Sequence, residues 1–373
     1  MGIGGGAITR HKVSGSYRHV RERKGGRKRE RHSRRNFGSG QSLRETQASS
    51  MASKLRFFDP HFHVWDMTPS GEGGTLSGHD ENILFSPNGS PLYGKVEYEA
   101  EIGMSENVVH EGGVYIEANS VCFVDTAGEE LLAKYQKELN WTLHVLGKYD
   151  ESKSYMYQAC AALEAPNSKE WLTMLSKIPE VCGIRQIINY KPSWPRNDRL
   201  GELLENEEWR KGYKMLGEFG LAFDMQLNPS QFKTAFQLIQ ETPNVPVIIN
   251  HAGAPTLEDL TDEKQKRIYW DGLAQLASCE HVSIKISMLC RIDPKEWDKN
   301  PVVNHAVDEI IKLFGYDRVA FASNAPVDAN DAWPASRVLA AFESMTASYS
   351  AEERSWLFAD AAKRMYTRID RSC

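Results

Sequence analysis

From Leu55 onward, short apolar runs alternate with longer amphipathic stretches, the pattern of a β/α architecture built on a parallel sheet. Eight runs have strand character: Leu55 to Phe58, Gly113 to Ala118, Tyr155 to Leu163, Val181 to Ile188, Leu221 to Leu227, Val245 to Asn250, His281 to Ser287 and Arg318 to Ser323. Between them the apolar spacing predicts helices over Gly128 to Leu139, Ser168 to Lys177, Glu207 to Phe219, Ser230 to Gln240, Asp262 to Ala277 and Val302 to Phe314. Several starts are marked by polar capping residues, among them Asn167-Ser168, Pro229-Ser230 and Thr261-Asp262-Glu263. Eight strands, each followed by a helix, predict a single closed (β/α)8 barrel with its chemistry at the C-terminal strand ends. An open doubly wound sheet is the alternative, but no GxGxxG follows any strand.

The stretch from Asp66 to Glu111 has no strong period and is rich in Gly, Ser, Pro and Asn. After the first strand, such a loop is expected to lie over the barrel mouth as a lid.

Charge divides the 373-residue chain. Residues 1–50 hold 13 basic and 3 acidic side chains, a net of +10. The remainder holds 32 basic and 47 acidic, a net of −15. The first 50 residues are Gly, Arg and Ser with little to bury, and read as a disordered tail. Their basic run, Arg27 to Arg35, fits a nuclear or nucleic-acid patch or a transit segment, which would make the protein nuclear or organellar. A start at Met51 would leave the tail out altogether. Residues 51–373 then form the barrel.

The acidic body argues against nucleic acid as its partner, since phosphate binding needs a basic surface. No apolar run is long enough for a membrane span, and the six cysteines never fall in a CxxC spacing. A small-molecule substrate and a reducing, cytoplasmic compartment fit best. The oligomeric state stays open.

Candidate chemistry concentrates where strands end. Asp59-Pro60-His61-Phe62-His63-Val64-Trp65 closes the first strand, and alternation points His61 and His63 the same way. Two imidazoles on one face suit a divalent metal, a carbonyl or a carboxylate. Composition alone yields about 0.3 such His-x-His pairs by chance, so position at a strand end is what gives this one weight. Later strand ends add Glu117, Arg185, Asp224, Gln226, Asn250-His251, Lys285, Ser287 and the run Ser323-Asn324-Ala325-Pro326-Val327-Asp328. Each taken singly reads more simply as structure: Arg185 in a core ion pair, Asp224 capping a helix, Lys285 satisfying carbonyls. Their convergence on one rim favours a site. Trp65 and Trp194 are candidates for the pocket wall, whereas the other tryptophans read as packing.

The motifs DPHFHVWD, GIRQIIN, FDMQL, INHAGAP, IKIS and FASNAPVD, in this order, resemble the amidohydrolase-related (amidohydrolase 2) family. The likeness is greatest to the branch with 2-pyrone-4,6-dicarboxylate hydrolase and the sugar-lactone hydrolases. It runs from about Leu55 to the C-terminus. The resemblance implies a hydrolase of a lactone or similar ester, with His61, His63 and His251 at the catalytic centre and Arg185 on a substrate carboxylate. Lys285, Gln226, Trp65 and Glu117 complete the expected substrate-binding set. The family also implies an optional cofactor: none required, or a weakly bound divalent metal such as zinc on His61 and His63.

One departure stands out. Where the family's eighth strand ends in Ser-Asp-x-Pro, this chain has Ser323-Asn324-Ala325-Pro326. An amide positions water but does not deprotonate it, and ligates metal poorly. Three explanations stay open: an imidazole of His251, His61 or His63 is the base; a carboxylate such as Asp328, Asp224 or Glu117 substitutes; or hydrolysis is lost and ligand binding kept. A metal-dependent decarboxylase of the same superfamily is a further alternative, and needs the missing aspartate more. The absence of GxSxG disfavours a serine esterase.

All the site motifs lie in the acidic body. A chain starting at Met51 is expected to match the full chain in melting temperature and activity. Loss of either would show that the tail belongs to the working protein.

Overall fold

A computed structural model describes residues 54–68, 90–118, 129–147, 152–192 and 201–367. The expected tail, the centre of the expected lid and Trp194 lie outside the described residues.

Eight parallel strands follow the chain in order: β1 (Leu55–Phe62), β2 (Val108–Ile116), β3 (Ser154–Cys160), β4 (Val181–Ile187), β5 (Ala222–Gln226), β6 (Val247–Ile249), β7 (Val282–Ile286) and β8 (Val319–Phe321). All eight fall on predicted runs. They read as near-continuous apolar segments because both faces are covered. Helices α1 (Lys95–Gly103), α2 (Glu129–Leu146), α3 (Ser168–Leu175), α4 (Glu207–Phe219), α5 (Phe232–Glu241), α6 (Leu257–Thr261), α7 (Glu263–Ala277) and α8 (Pro301–Phe314) fill the crossovers, and α9 (Ala335–Met345) follows β8. α4 shows the local logic: Asn206 Oδ1 accepts from the amides of Glu208 and Trp209 at its start, and left-handed Gly220 ends it. Its buried face, Trp209, Tyr213 and Leu216, packs on Phe223 of β5.

The expectation of an irregular lid from Asp66 to Glu111 is corrected in part. Leu92–Tyr93 pairs antiparallel with Trp65–Asp66, α1 follows, and β2 already begins at Val108. The short ribbon and the nine-residue helix are too brief to leave a period in the sequence. Tyr98 and Ile102 of α1 are buried, and the Tyr98 ring stacks on Phe62 at 3.9 Å.

The opposite end of the barrel is floored by the chain's last elements, α10 (Ala351–Ser355), a π turn over Trp356–Asp360 and α11 (Ala361–Tyr366). Ala359, Ala361, Ala362 and Tyr366 pack against Phe58, Val114, Ala222, Ile248 and Ala320. Small residues let the helix approach the strand row closely. Among the described residues no helix is long and apolar enough to cross a membrane.

β1 and β8 share no extended ladder, and the barrel closes through individual contacts. Phe62 bridges Ala325; the amide of Asn324 donates to the His61 carbonyl at 2.9 Å; the amide of His63 donates to the Ala325 carbonyl at 2.8 Å. Below them the Asp59 carboxylate accepts from the His61 amide, the Ser323 amide and hydroxyl, and the Tyr98 hydroxyl. β2 reaches Asp59 closely enough that a Cβ on Gly113 would sit 2.3 Å from its carbonyl oxygen. Removing the Asp59 carboxylate strands four buried donors at roughly 1 kcal/mol or more each. Asp59→Ala is therefore expected to lower unfolding free energy by about 4 kcal/mol in urea titrations. A loss below about 1 kcal/mol would show that the seam does not depend on Asp59.

Candidate active site

Three imidazoles meet at the mouth. His61 and His63 project together from the end of β1, their Nε2 atoms 3.2 Å apart. His63 Nδ1 lies 2.9 Å from the Ile116 carbonyl, which only accepts, so Nδ1 carries the proton. Neutral His63 then has a bare Nε2, to which His61 Nε2–H donates. This leaves His61 Nδ1 bare, buried and without a partner. The His251 ring lies 4.6 Å from the His61 ring, and its Nδ1 lies 2.9 Å from Ser287 Oγ. With Nδ1–H donating to that hydroxyl, the His251 Nε2 lone pair is left for a water or substrate.

His251 reaches this position through unusual backbone. His251, Ala252, Gly253 and Ala254 are all left-handed, with φ of 56°, 55°, 77° and 51°. Each non-glycine residue there costs roughly 1–2 kcal/mol. Tyr269 Oη, donating to the Ala252 carbonyl at 2.8 Å, helps pin the turn. Met288 and Asn324, just past β7 and β8, are left-handed as well, at 57° and 52°. Such strain gathers at functional sites, and here it marks three consecutive strand ends at the mouth.

Buried charge surrounds the rings. Lys285 Nζ is 3.0 Å from Asp224 Oδ1 with both side chains fully buried, and it also donates to the Pro60 carbonyl at 3.3 Å. Tyr366 Oη, from the floor, donates to the same carboxylate. Burial pulls the Lys285 amine down to about 8, against the opposing pull of Asp224. Burial raises Asp224 despite Lys285. Arg185 Nε pairs with Glu117 Oε1 at 2.6 Å, Nη1 donates to Gln226 Oε1 at 3.0 Å, and Nη2 donates to the Glu117 carbonyl. Three of five guanidinium N–H groups are thus occupied, and Nη1 and Nη2 each keep one.

The two cations reinforce what burial does to the histidines. Burial, then Lys285, holds His61 and His251 well below the usual imidazole range; burial, then Arg185, brings His63 to about 3. All three rings are neutral at physiological pH.

At the end of β8, Asn324 Nδ2 donates to Asp328 Oδ1 at 2.6 Å, with both residues buried. Burial pushes the Asp328 carboxyl up to about 7 and that of Asp59 up to about 6.

The strand ends thus bring His61, His63, His251 and Asn324 to one end of the barrel, beside Lys285 and the linked group Arg185, Glu117 and Gln226. Trp65 is fully buried in the ribbon, its ring 5.9 Å from Tyr93, with its indole nitrogen unpartnered. Asp224 does not cap a helix; it pairs with Lys285 because its strand position faces inward. Sequence reasoning undervalued Asp59, Asp328, Ser287 and Tyr366. Asp59, Ser287 and Tyr366 act through partners distant in the chain, and only the four-residue spacing of Asn324 and Asp328 carried a local signal.

A family metal would need more than is present. Catalytic zinc takes three protein ligands. Among the described residues no group of three His, Cys, Asp or Glu side chains is arranged to hold a metal. His61, His63 and His251 supply three imidazoles, but they are not arranged as one metal-holding group, and β8 offers an amide already committed to Asp328. The donor set does not fit a tightly held catalytic zinc.

Residues 149–368 match a family model described as Amidohydrolase, and the chain belongs to this family. It is similar to the protein y4mH of Sinorhizobium fredii, 33% identical over 321 residues, spanning 84% of this chain and 99% of that protein. Among solved structures it is similar to an amidohydrolase from Burkholderia multivorans, with a TM-score of 0.65 and 18% identity over 84% of this chain and 99% of that one. A second crystal form of that amidohydrolase carries zinc. A Pseudomonas putida protein assigned as a 2-pyrone-4,6-dicarboxylic acid hydrolase gives a TM-score of 0.57 at 16% identity, over 84% of this chain and 97% of that one. Likeness at these identities shows the shared barrel.

The buried groups set the acid response of stability. Each imidazole, with its folded pKa below 6.5, contributes fully above pH 6.5 and loses that contribution as pH falls. Asp59 and Asp328, raised from 3.8 to about 6 and about 7, contribute fully below 3.8 and lose it as pH rises through those values. Asp224 is shifted in the same direction as the other acids. At pH 5 the acids offset most of the three histidines, so the net loss is roughly one proton's slope or less, about 1.4 kcal/mol per pH unit. His63→Gln removes one histidine and is expected to flatten the urea-midpoint profile between pH 5 and 6.5. An unchanged slope would count against neutral burial of His63.

Proposed function

We propose that the protein hydrolyses a lactone or similar ester of a small carboxylated or sugar-acid substrate, with water activated at the histidine cluster and no bound metal required. The observation that carries this reading is three neutral imidazoles gathered beside two buried cations. Neutral rings accept protons, and the cations favour an anionic substrate and an anionic transition state.

In this reaction a water bound at His251 Nε2 attacks the ester carbonyl. As the new C–O bond forms, its proton passes to Nε2, and the carbonyl oxygen becomes an oxyanion. Lys285 stabilises that charge; pre-set donors of this kind contribute several kcal/mol in a water-poor site. Collapse of the tetrahedral intermediate breaks the ring C–O bond, and the His251 imidazolium returns the proton to the leaving alkoxide. The two remaining N–H groups of Arg185 hold the substrate carboxylate. No protein nucleophile is required.

A depressed imidazole pKa makes His251 available but weakly basic. Burial is the main cause of that depression and the two cations add to it, so a substrate carboxylate beside Arg185 and Lys285 offsets the cations' share. Binding of the anion thus raises the base toward neutrality, where general-base catalysis is most effective.

A panel of sugar lactones and carboxylated pyrones tests the reading, assayed with chelator present. Wild type is expected to hydrolyse at least one carboxylated lactone, and His251→Ala to lose about 100-fold or more in kcat. Activity in Asn324→Asp alone would identify a decayed enzyme retained for ligand binding. No activity in either would sink the hydrolase reading, and stoichiometric, tightly held zinc would favour the decarboxylase.

A further inference from the structure

The pair Asn324 and Asp328 is more than a replacement for a missing carboxylate. Asn324 has little freedom: its amide donates across the seam to the His61 carbonyl, its backbone is left-handed, and its carbonyl accepts from the Val327 amide at 2.8 Å. Its side chain is buried and also interacts with His63. What remains to be set is which end of the planar amide faces the mouth. Asp328 decides that, because one Nδ2 hydrogen goes to its Oδ1 at 2.6 Å.

We propose that Asp328 is a positioning residue which, as a carboxylate, holds Asn324 Nδ2 and so presents Asn324 Oδ1 to the histidine cluster as an acceptor for water. A protonated Asp328 is itself a donor. It pairs with Oδ1 instead and favours the turned amide, which presents Nδ2–H to the mouth. The same side chain thus offers an acceptor or a donor according to one proton located outside the reacting atoms.

The surroundings of Asp328 allow both forms. Cys290, beyond β7, is hydrogen-bonded to it, Arg291 favours its ionised form and Asp331 opposes it. Arg291 is partly neutralised by Asp331, with Nε 3.4 Å from Oδ2. No strong ion pair fixes the charge of Asp328, in contrast to Asp224 with Lys285. With burial raising the acid to about 7, the two forms exchange close to neutral pH.

In catalysis the carboxylate form is the working one. An attacking water has two protons: His251 takes one and Asn324 Oδ1 accepts a hydrogen bond from the other. This role rests on the proposed hydrolysis, but the orientation itself does not.

The test therefore has two arms on the full chain. In the first, side-chain amide NMR with selective Asn labelling follows the Asn324 signals from pH 5.5 to 8.5 without substrate. Wild type is expected to show a transition near neutrality that Asp328→Asn, an isosteric change, abolishes. Signals that do not move in wild type, or move identically in Asp328→Asn, overturn the proposal whatever the enzyme's activity. In the second arm, with a lactone found active, Asp328→Asn is expected to lower kcat about tenfold or more with KM within about twofold, and to remove the limb near neutrality from the pH profile. Asp328→Glu is expected to restore part of kcat, and melting temperatures verify that each variant folds. A parallel fall in kcat and melting temperature, with the pH profile unmoved, would make Asp328 merely structural and overturn the role. Inactivity of every form towards every lactone would sink the hydrolase reading and leave the NMR arm to decide the orientation.

Discussion

The seam between β1 and β8 is the constraint on which the rest depends. A parallel barrel must join its first strand to its last, and here that junction is a few hydrogen bonds in place of a ladder. His61 and His63 contribute backbone groups to it on one side, Asn324 and Ala325 on the other. The side chains of His61, His63 and Asn324 are also the candidate chemistry. Closing the barrel and assembling the site are one event, with Asp59 and Ser323 fastening it from below. A shift of one residue in either strand would separate the histidines from the amide and strand the Asp59 carboxylate.

That arrangement forces charge into the interior, where desolvation opposes it. The chain answers by pairing. Lys285 has Asp224, whose carboxylate also accepts from Tyr366; Arg185 has Glu117 and Gln226. The groups left without a full counter-charge change protonation: the histidines stay neutral, and Asp59 and Asp328 rise toward neutrality. Replacing buried ion pairs by well-packed apolar side chains is often neutral or stabilising, so stability alone does not account for them. Under the proposed hydrolysis, cations fixed beside neutral bases would meet an anionic substrate without reorganising as the reaction proceeds.

Membership of the amidohydrolase family fixes the scaffold more firmly than the chemistry. Structures with less than a fifth of their residues identical retain this barrel, because strand packing and helix faces tolerate exchange of one apolar residue for another. Strand-end side chains have no such tolerance. At the end of β8 it is an amide, Asn324, bonded to Asp328, that stands with the His61 and His63 pair.

Much of the barrel could be read directly. Apolar runs of strand length and amphipathic stretches of helix length have fixed periods, and these periods placed all eight strands and the helices from Glu129 to Phe314 except the five-residue Leu257–Thr261. Lys95–Gly103 escaped because nine residues leave too few turns to register, and Trp65–Asp66 because a two-residue strand has no period. The histidines could be nominated because alternation is local: two residues apart in an extended chain means the same face. Distance is not local. That Asp59 meets Ser323, that Lys285 meets Asp224 and Tyr366, and that Arg185 is largely occupied by Glu117 depend on strands far apart in sequence becoming neighbours on closure. The protonation states follow from those meetings and from burial, so the sequence determined which groups were available, and only the folded barrel decided which are charged, neutral or committed to a partner.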